Sequence, residues 1–154
     1  MKIIWGGAGD SATNQAIGVF VASRIEGCER GFSDFTTLGV VEKGGVLEQG
    51  RLIAGVVYHN YVPEAGVIEL SAASSSKRWL TRAVLRAMFG YPFDEIGCQL
   101  AVLRVSEKNR GMVDIARRFG FTGHRIPRLR GRGEAEIIFT LTDDAWRAHA
   151  VNRL

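Results

Sequence analysis

Apolar positions recur at helical spacing first over residues 11–25, where Ala12, Ala16, Val19 and Phe20, with Ile17 less strictly, mark a stripe. Asp10 or Ser11 stands where a helix is capped, and Gly27 where it ends. After Gly31 the period shortens to that of strands. Residues 36–42, 51–61 and 67–73 read as three strands, separated by Lys43-Gly44-Gly45 and by Pro63-Glu64-Ala65-Gly66, both turn-forming clusters. Three strands joined by such short turns predict an antiparallel meander.

The run 52–57 is apolar at nearly every position, as in a strand covered on both faces, so a helix is expected on each side of the sheet. Trp79, Leu80, Ala83, Val84, Ala87 and Met88 form the apolar side of the next helix, opposite Arg78, Arg82 and Arg86, with Gly90 and Pro92 to stop it. A strand over 99–105 follows. Met112, Val113, Ile115, Ala116 and Phe119 then mark a helix over 109–119, ended by Gly120 where a left-handed residue is favoured. Strands over 121–129 and 134–141 and a short helix near 143–150 complete the pattern. The order predicts an α/β protein of the α+β kind: a mostly antiparallel mixed sheet, one parallel pair made by a helical crossover, and helices on both faces.

With 154 residues and 46% hydrophobic content, the chain suits one domain. Its longest apolar stretch, 52–58, falls far short of the roughly 20 residues that cross a bilayer, and the N-terminal segment lacks the marks of a signal peptide. No membrane association and a cytoplasmic location are therefore expected. Cys28 and Cys98 have no Cys or His at metal-ligand spacing, so both read as buried thiols and no metal site is expected. The net charge of +4 is locally concentrated, with Arg125, Arg128, Arg130 and Arg132 inside residues 124–133.

Residues 109–121, Asn-Arg-Gly-Met-Val-Asp-Ile-Ala-Arg-Arg-Phe-Gly-Phe, open with a helix-capping Asn and place a Gly-Phe pair eleven and twelve positions later. Together with the order of elements, this resembles the GNAT superfamily of N-acetyltransferases over about three-fifths of the chain, residues 51–141. The superfamily's pyrophosphate loop has Gln or Arg, two residues, Gly, one residue, then Gly or Ala. Registered on Arg78, this chain has Thr81 in place of the glycine and Ala83 at the last position. The segment 78–82, Arg-Trp-Leu-Thr-Arg, is similar to segments in small phage-encoded and prophage-associated members. The resemblance implies acetyl-CoA or another acyl-CoA as co-substrate, with Ser71, Ala72, Lys77, Arg78, Trp79, Leu80, Thr81, Arg82 and Asn109 holding it. A helix N-terminus attracts a pyrophosphate through its amides whatever its side chains are, and Lys77, Arg78 and Arg82 add charge. The plainer alternative is that Ser74–Ser76 cap a helix and the arginines form a solvated face.

Acyl transfer to an amine needs a group to take a proton, a donor to the thioester oxygen and an acid for the leaving thiolate. Glu69 is the only acidic residue of its strand and shares a face with Val67 and Ser71. Desolvation there would raise its pKa and suit it as general base; the alternative is a solvent-reaching carboxylate. His59, in Tyr58-His59-Asn60-Tyr61, either relays a proton or is a hydrogen-bonded structural group. Family members often carry a tyrosine acid seven positions after the Asn, where this chain has Ala116. Tyr58, Tyr61, Ser106 or a water held by Asn109 are the substitutes, and the resemblance places the oxyanion donor among the main-chain amides of 70–72.

The arginine-rich segment lies where members border the acceptor site, so Tyr58, Tyr61, Arg128 and Arg130 are candidate acceptor contacts and an anionic acceptor is possible on charge grounds. A solubilising hairpin paired with Glu134 and Glu136 is the alternative. Three functions compete: an N-acyltransferase acting on a primary amine by direct attack, a nucleic-acid-modifying or nucleic-acid-binding protein of phage origin on the same scaffold, and a non-catalytic subunit of a larger assembly. A monomer or a homodimer is expected.

Overall fold

The computed structural model describes residues 1–9, 11–43 and 50–153. Asp10, the alternative cap, and Gly44-Gly45 of the first expected turn lie outside the described residues. Seven strands form one mixed sheet in the order β1-β2-β3-β4-β5-β7-β6. They are β1 (Lys2–Ala8), β2 (Thr36–Glu42), β3 (Arg51–Val62), β4 (Val67–Ser74), β5 (Leu100–Ser106), β6 (Thr122–Ile126) and β7 (Glu136–Thr142). The helices are α1 (Ala12–Ala22), α2 (Arg82–Gly90), α3 (Arg110–Phe119) and α4 (Asp143–Ala148). A π-helical turn, Tyr91–Glu95, follows α2, and a 3₁₀ turn, Ala150–Asn152, follows α4. The chain groups into two compact units, Met1–Asn60 with Leu70–Tyr91, and Tyr61–Glu69 with the residues from Pro92 onward.

In the first unit, β1 pairs antiparallel with β2, and β2 with β3. The sequence pattern predicts no strand before α1. Its signal is weak because Ile3, Ile4 and Trp5 are consecutive rather than alternating, and a register shift between Trp5 and Gly7 interrupts the pairing. Glycine is required at position 6, since a Cβ there would lie 1.8 Å from Thr37 Oγ1 and 2.9 Å from the Asn14 Cα. The fully buried Asn14 stitches this corner together. Its Nδ2 donates to the carbonyls of Gly9 (3.1 Å) and Phe35 (3.0 Å), while its Oδ1 accepts from Thr37 Oγ1 at 2.8 Å.

Helix α1 is capped by Ser11, whose Oγ accepts from the Asn14 amide, and it ends at Ala22 rather than near Gly27. Its buried face is Asn14, Ile17, Gly18, Val21 and Ala22, so Ala12, Ala16 and Val19 of the expected stripe face solvent. Two buried polar or small residues, Asn14 and Gly18, concealed the true face from an apolar count. Ile17 and Val21 pack on Val57 of β3, whose residues 53–59 are all buried. On the alternate side of that strand the Tyr58 hydroxyl donates to the Met88 carbonyl of α2 at 2.6 Å. The centre of β3 is thus covered by a helix on each face, as its apolar run predicts.

Helix α2 begins later than the pattern 79–88 indicates. Thr81 is its N-cap, accepting from the Val84 amide at 3.2 Å, so Trp79 and Leu80 precede the helix. The reason is upstream: the Ser75 amide and the Ser74 hydroxyl both donate to the Ile53 carbonyl, at 2.8 and 3.1 Å, and hold this stretch in extended form beside β3.

In the second unit, β4 and β5 run parallel through three pairs, Val67 with Leu100, Ile68 with Ala101 and Glu69 with Val102. Strand β5 pairs antiparallel with β7 along its whole length, and β6 closes that edge against β7. Helix α3 starts at the Asn109 cap and stops at Gly120 with φ of 114°, matching the expected signals at both ends. Trp146 of α4 is buried against Phe93. Cys98 is buried, and desolvation pushes its thiol above the ordinary range, whereas Cys28, expected to be buried, is only half-buried. Among the described residues, no helix is long and apolar enough to cross a membrane.

Candidate active site

The segment expected to cradle a pyrophosphate is largely bonded to itself. The amides of Ser75, Ser76, Arg78 and Thr81 donate to Ile53 O, Ser74 Oγ, Ser76 Oγ and Trp79 O respectively, and the Val84 amide is taken by the Thr81 cap. The expected start of the helix at Trp79 is therefore corrected to Arg82, behind the Thr81 cap, and only part of the expected amide set is open. Serine and threonine side chains occupy donors that a glycine loop leaves available. Among the described residues, the amides of Lys77, Trp79, Leu80 and Ala83 have no acceptor. Lys77, Arg78 and Arg82 are exposed around the N-terminus of α2, joined by Arg86 one turn on. The donor set fits a diphosphate held by cationic side chains and a few amides rather than by a continuous amide nest.

In the same unit, β3 and β4 bring His59 and Ser71 together, with Nε2 2.9 Å from Oγ. The imidazole is buried and packs on Phe32 with ring centroids 4.8 Å apart. It has the surroundings of a well-held group, and its partner Ser71 is one of the residues expected at the cofactor. Ala72 is half-buried beside it in sequence. Tyr58 is buried with its hydroxyl committed to Met88, so its proton points into packing between strand and helix.

In the second unit, Glu69 ends the parallel ladder opposite Val102 and is half-buried. Arg104 lies two residues further along β5, on the face of Val102. Its guanidinium is held above the ordinary range, chiefly by hydrogen bonding to Glu136 and further by attraction from the carboxylates of Glu136 and Glu69, against the effect of burial. Ser106 Oγ donates to Glu134 Oε2 at 2.7 Å and accepts from the Lys108 amide, so its hydroxyl proton is already engaged. Asn109 uses Oδ1 to cap α3 through the Met112 amide at 3.2 Å. Tyr61 is exposed.

The arginine-rich segment is the hairpin after β6, and part of it is internally neutralised. Arg130 Nη2 pairs with Glu136 Oε1 at 3.1 Å, and Arg125 with Glu107 at 3.0 Å. Arg128, at φ of 68°, and Arg132 are exposed. Glu136 was read as a partner of the arginine-rich hairpin, as it is for Arg130, but its pairing with Arg104 escaped the sequence reading. Their signal was a charged residue at one position of each otherwise apolar strand, whose complementarity emerges only when the register sets Arg104 opposite Ile138, two residues from Glu136.

The architecture is that of the GNAT acetyltransferases: a seven-stranded mixed sheet with one parallel pair and flanking helices. A variant of spermidine N-acetyltransferase SpeG from Vibrio cholerae superposes with a TM-score of 0.62 at 14% identity, covering 74% of this chain and 69% of that one. A GCN5-related N-acetyltransferase from Brucella melitensis gives 0.59 at 22% identity, over 75% of this chain and 54% of that one. At these identities the likeness is one of fold. No protein-family model matches the chain, and no curated protein is similar to it.

Proposed function

We propose that the chain is an N-acyltransferase that moves an acetyl or similar acyl group from acyl-CoA to a primary amine by direct attack. The observation that carries this reading is the parallel ladder of β4 with β5 from Val67 to Glu69, past which β4 runs on to Ser74. Strand amides beyond a ladder's end are donors without a sheet partner from that ladder, and those of residues 70–72 are the proposed donors to the thioester oxygen. Acyl-CoA supplies the activated thioester. Lys77, Arg78 and Arg82, with the amides of Leu80 and Ala83, are the groups that hold its diphosphate.

The neutral amine nitrogen attacks the thioester carbonyl, a C–N bond forms and the C–S bond breaks. The nitrogen's surplus proton passes to a base, for which Glu69 is the candidate and His59, held by Ser71, the second. The coenzyme thiolate takes a proton, and because Ala116 is buried in α3 at the family's tyrosine position, water serves as its source. The spermidine acceptor named for the Vibrio enzyme makes polyamines sensible members of the first amine panel.

Thermal unfolding with CoA tests the reading. A ligand held at one hundred times its Kd stabilises by about 2.7 kcal/mol, so a clear rise in Tm is expected. No shift with CoA, together with no transfer to any amine of a broad panel, would remove the proposal.

A further inference from the structure

A pocket of about 510 Å³ in the first unit is lined by Gly9, Gln15, Phe32, Ser33, Asp34, Phe35 and Thr36. Its composition is unlike that of the arginine hairpin. Among the described residues no Lys or Arg lines it and its one ionisable group is Asp34, and two aromatic residues, Phe32 and Phe35, line it with that carboxylate. Phe32 and Phe35 meet edge to face with centroids 6.1 Å apart. The Asp34 carboxylate has no hydrogen-bond or ion-pair partner among the described residues.

The walls are fixed rather than loosely draped. Asn14 joins the Gly9 and Phe35 carbonyls through one amide group, and Gln15 Nε2 adds a second bond to the Gly9 carbonyl at 3.2 Å. The Thr36 hydroxyl bonds the Tyr91 hydroxyl at 3.2 Å. Asp34 itself sits at φ of 45°, the left-handed region that Asp and Asn enter with less strain than other side-chain-bearing residues. Phe32 also packs on His59, which in turn bonds Ser71. One wall of the pocket therefore touches the buried histidine of the candidate site.

A carboxylate without a partner in a pocket that aromatic rings also line is a recognition element for ammonium: ring faces and carboxylate attract the same charge, and among the described residues no resident cation competes for it. We infer that this pocket binds an aliphatic ammonium group, Asp34 supplying the counter-charge and Phe32 and Phe35 the aromatic walls. Within the transferase reading, on which its purpose rests, the pocket selects acceptors that carry a second, protonated amine. The acceptor is then a cation, in contrast to the anion that the arginine-rich segment suggests from sequence.

The test measures binding without turnover. Diaminobutane is titrated into the full chain by calorimetry and by NMR of the Phe32 and His59 rings, with butanediol as a probe of equal length and no charge. Diaminobutane should bind and butanediol should not. Asp34→Asn keeps the side-chain shape and the tolerance for positive φ, and should weaken diaminobutane about fivefold. Phe32→Leu should weaken it about threefold. Absence of diaminobutane binding, or an unchanged affinity in Asp34→Asn, overturns the inference. The two proposals fail separately: binding that depends on Asp34 with no acyl transfer to any amine sinks the transferase alone. Transfer whose KM for diaminobutane ignores Asp34→Asn sinks the pocket alone.

Discussion

Arg104 and Glu136 meet across β5 and β7, where Glu136 Oε2 accepts from both Nε (3.0 Å) and Nη2 (2.7 Å) of Arg104. The other carboxylate oxygen is taken by Arg130, and the Glu136 side chain is only 5% exposed. Removing it leaves two guanidinium groups facing each other with nothing between. Glu136→Ala should therefore destabilise the chain toward the lower end of the ~3–5 kcal/mol lost when one partner of a buried pair is removed, because Arg104 remains 44% exposed. Urea unfolding of the variant and the parent gives the difference directly.

Acid should loosen the same hairpin. The Glu107 carboxyl is held below its ordinary value of 4.5, first by the Ala135 amide and then by Arg125; the Glu134 carboxyl is held low first by Ser106 and then by Lys108. A carboxyl whose folded pKa is depressed adds stability that is complete above 4.5 and is lost as pH falls through the lowered folded value. Glu107→Gln should flatten that part of the stability profile, measured by denaturant midpoints from neutrality into acid. An unaltered slope would show that these bonds do not persist in solution.

Thr81→Ala removes the hydroxyl that caps α2. The expected cost is about 1 kcal/mol, seen as a lower Tm, with most of it recovered in Thr81→Ser. Equal stability of the Ala variant would mean that α2 starts elsewhere.

Gly55 lies beneath α1, where an added Cβ would come 2.8 Å from Val21 Cγ2 and 2.9 Å from Ile17 Cγ2. Gly55→Val should cost about 1–3 kcal/mol through forced repacking of the helix on β3. Chemical denaturation provides the measurement.

Within the transferase reading, Arg78→Ala should raise the Kd for CoA about tenfold, since a charge-assisted contact to a diphosphate is lost. Glu69→Gln should lower kcat while leaving CoA affinity nearly unaltered. A Glu69→Gln enzyme of undiminished rate removes that residue from the mechanism.

Most of the architecture was legible where residues alternate or recur without interruption. The β3 core, the Asn109 cap and the Gly120 stop are local signals that the surrounding fold reinforces. The phase of α1 was not, because Asn14 and Gly18 face inward for reasons that only the neighbouring strands supply: a hydrogen-bonding site at Gly9, Phe35 and Thr37, and close approach of the Phe35 ring. The start of α2 was misplaced because the anchor for Ser74 and Ser75 is a carbonyl on another strand, Ile53. The candidate site divided along the same line. Residues with a motif could be named in advance, whereas Asp34 and Phe32 carry none and gain meaning only from what the fold sets beside them.

The placement of the aromatic residues gives each compact unit its own optical signature. Trp5 is 47% exposed and leans on Tyr91, while Trp146 is 2% exposed and stacks on Phe93. Their fluorescence should accordingly differ in colour, Trp5 emitting to the red of Trp146. Once Trp79 is replaced by Phe, loss of the blue component during denaturation follows one unit while the red component follows the other, so asynchronous melting would be visible in a single spectrum.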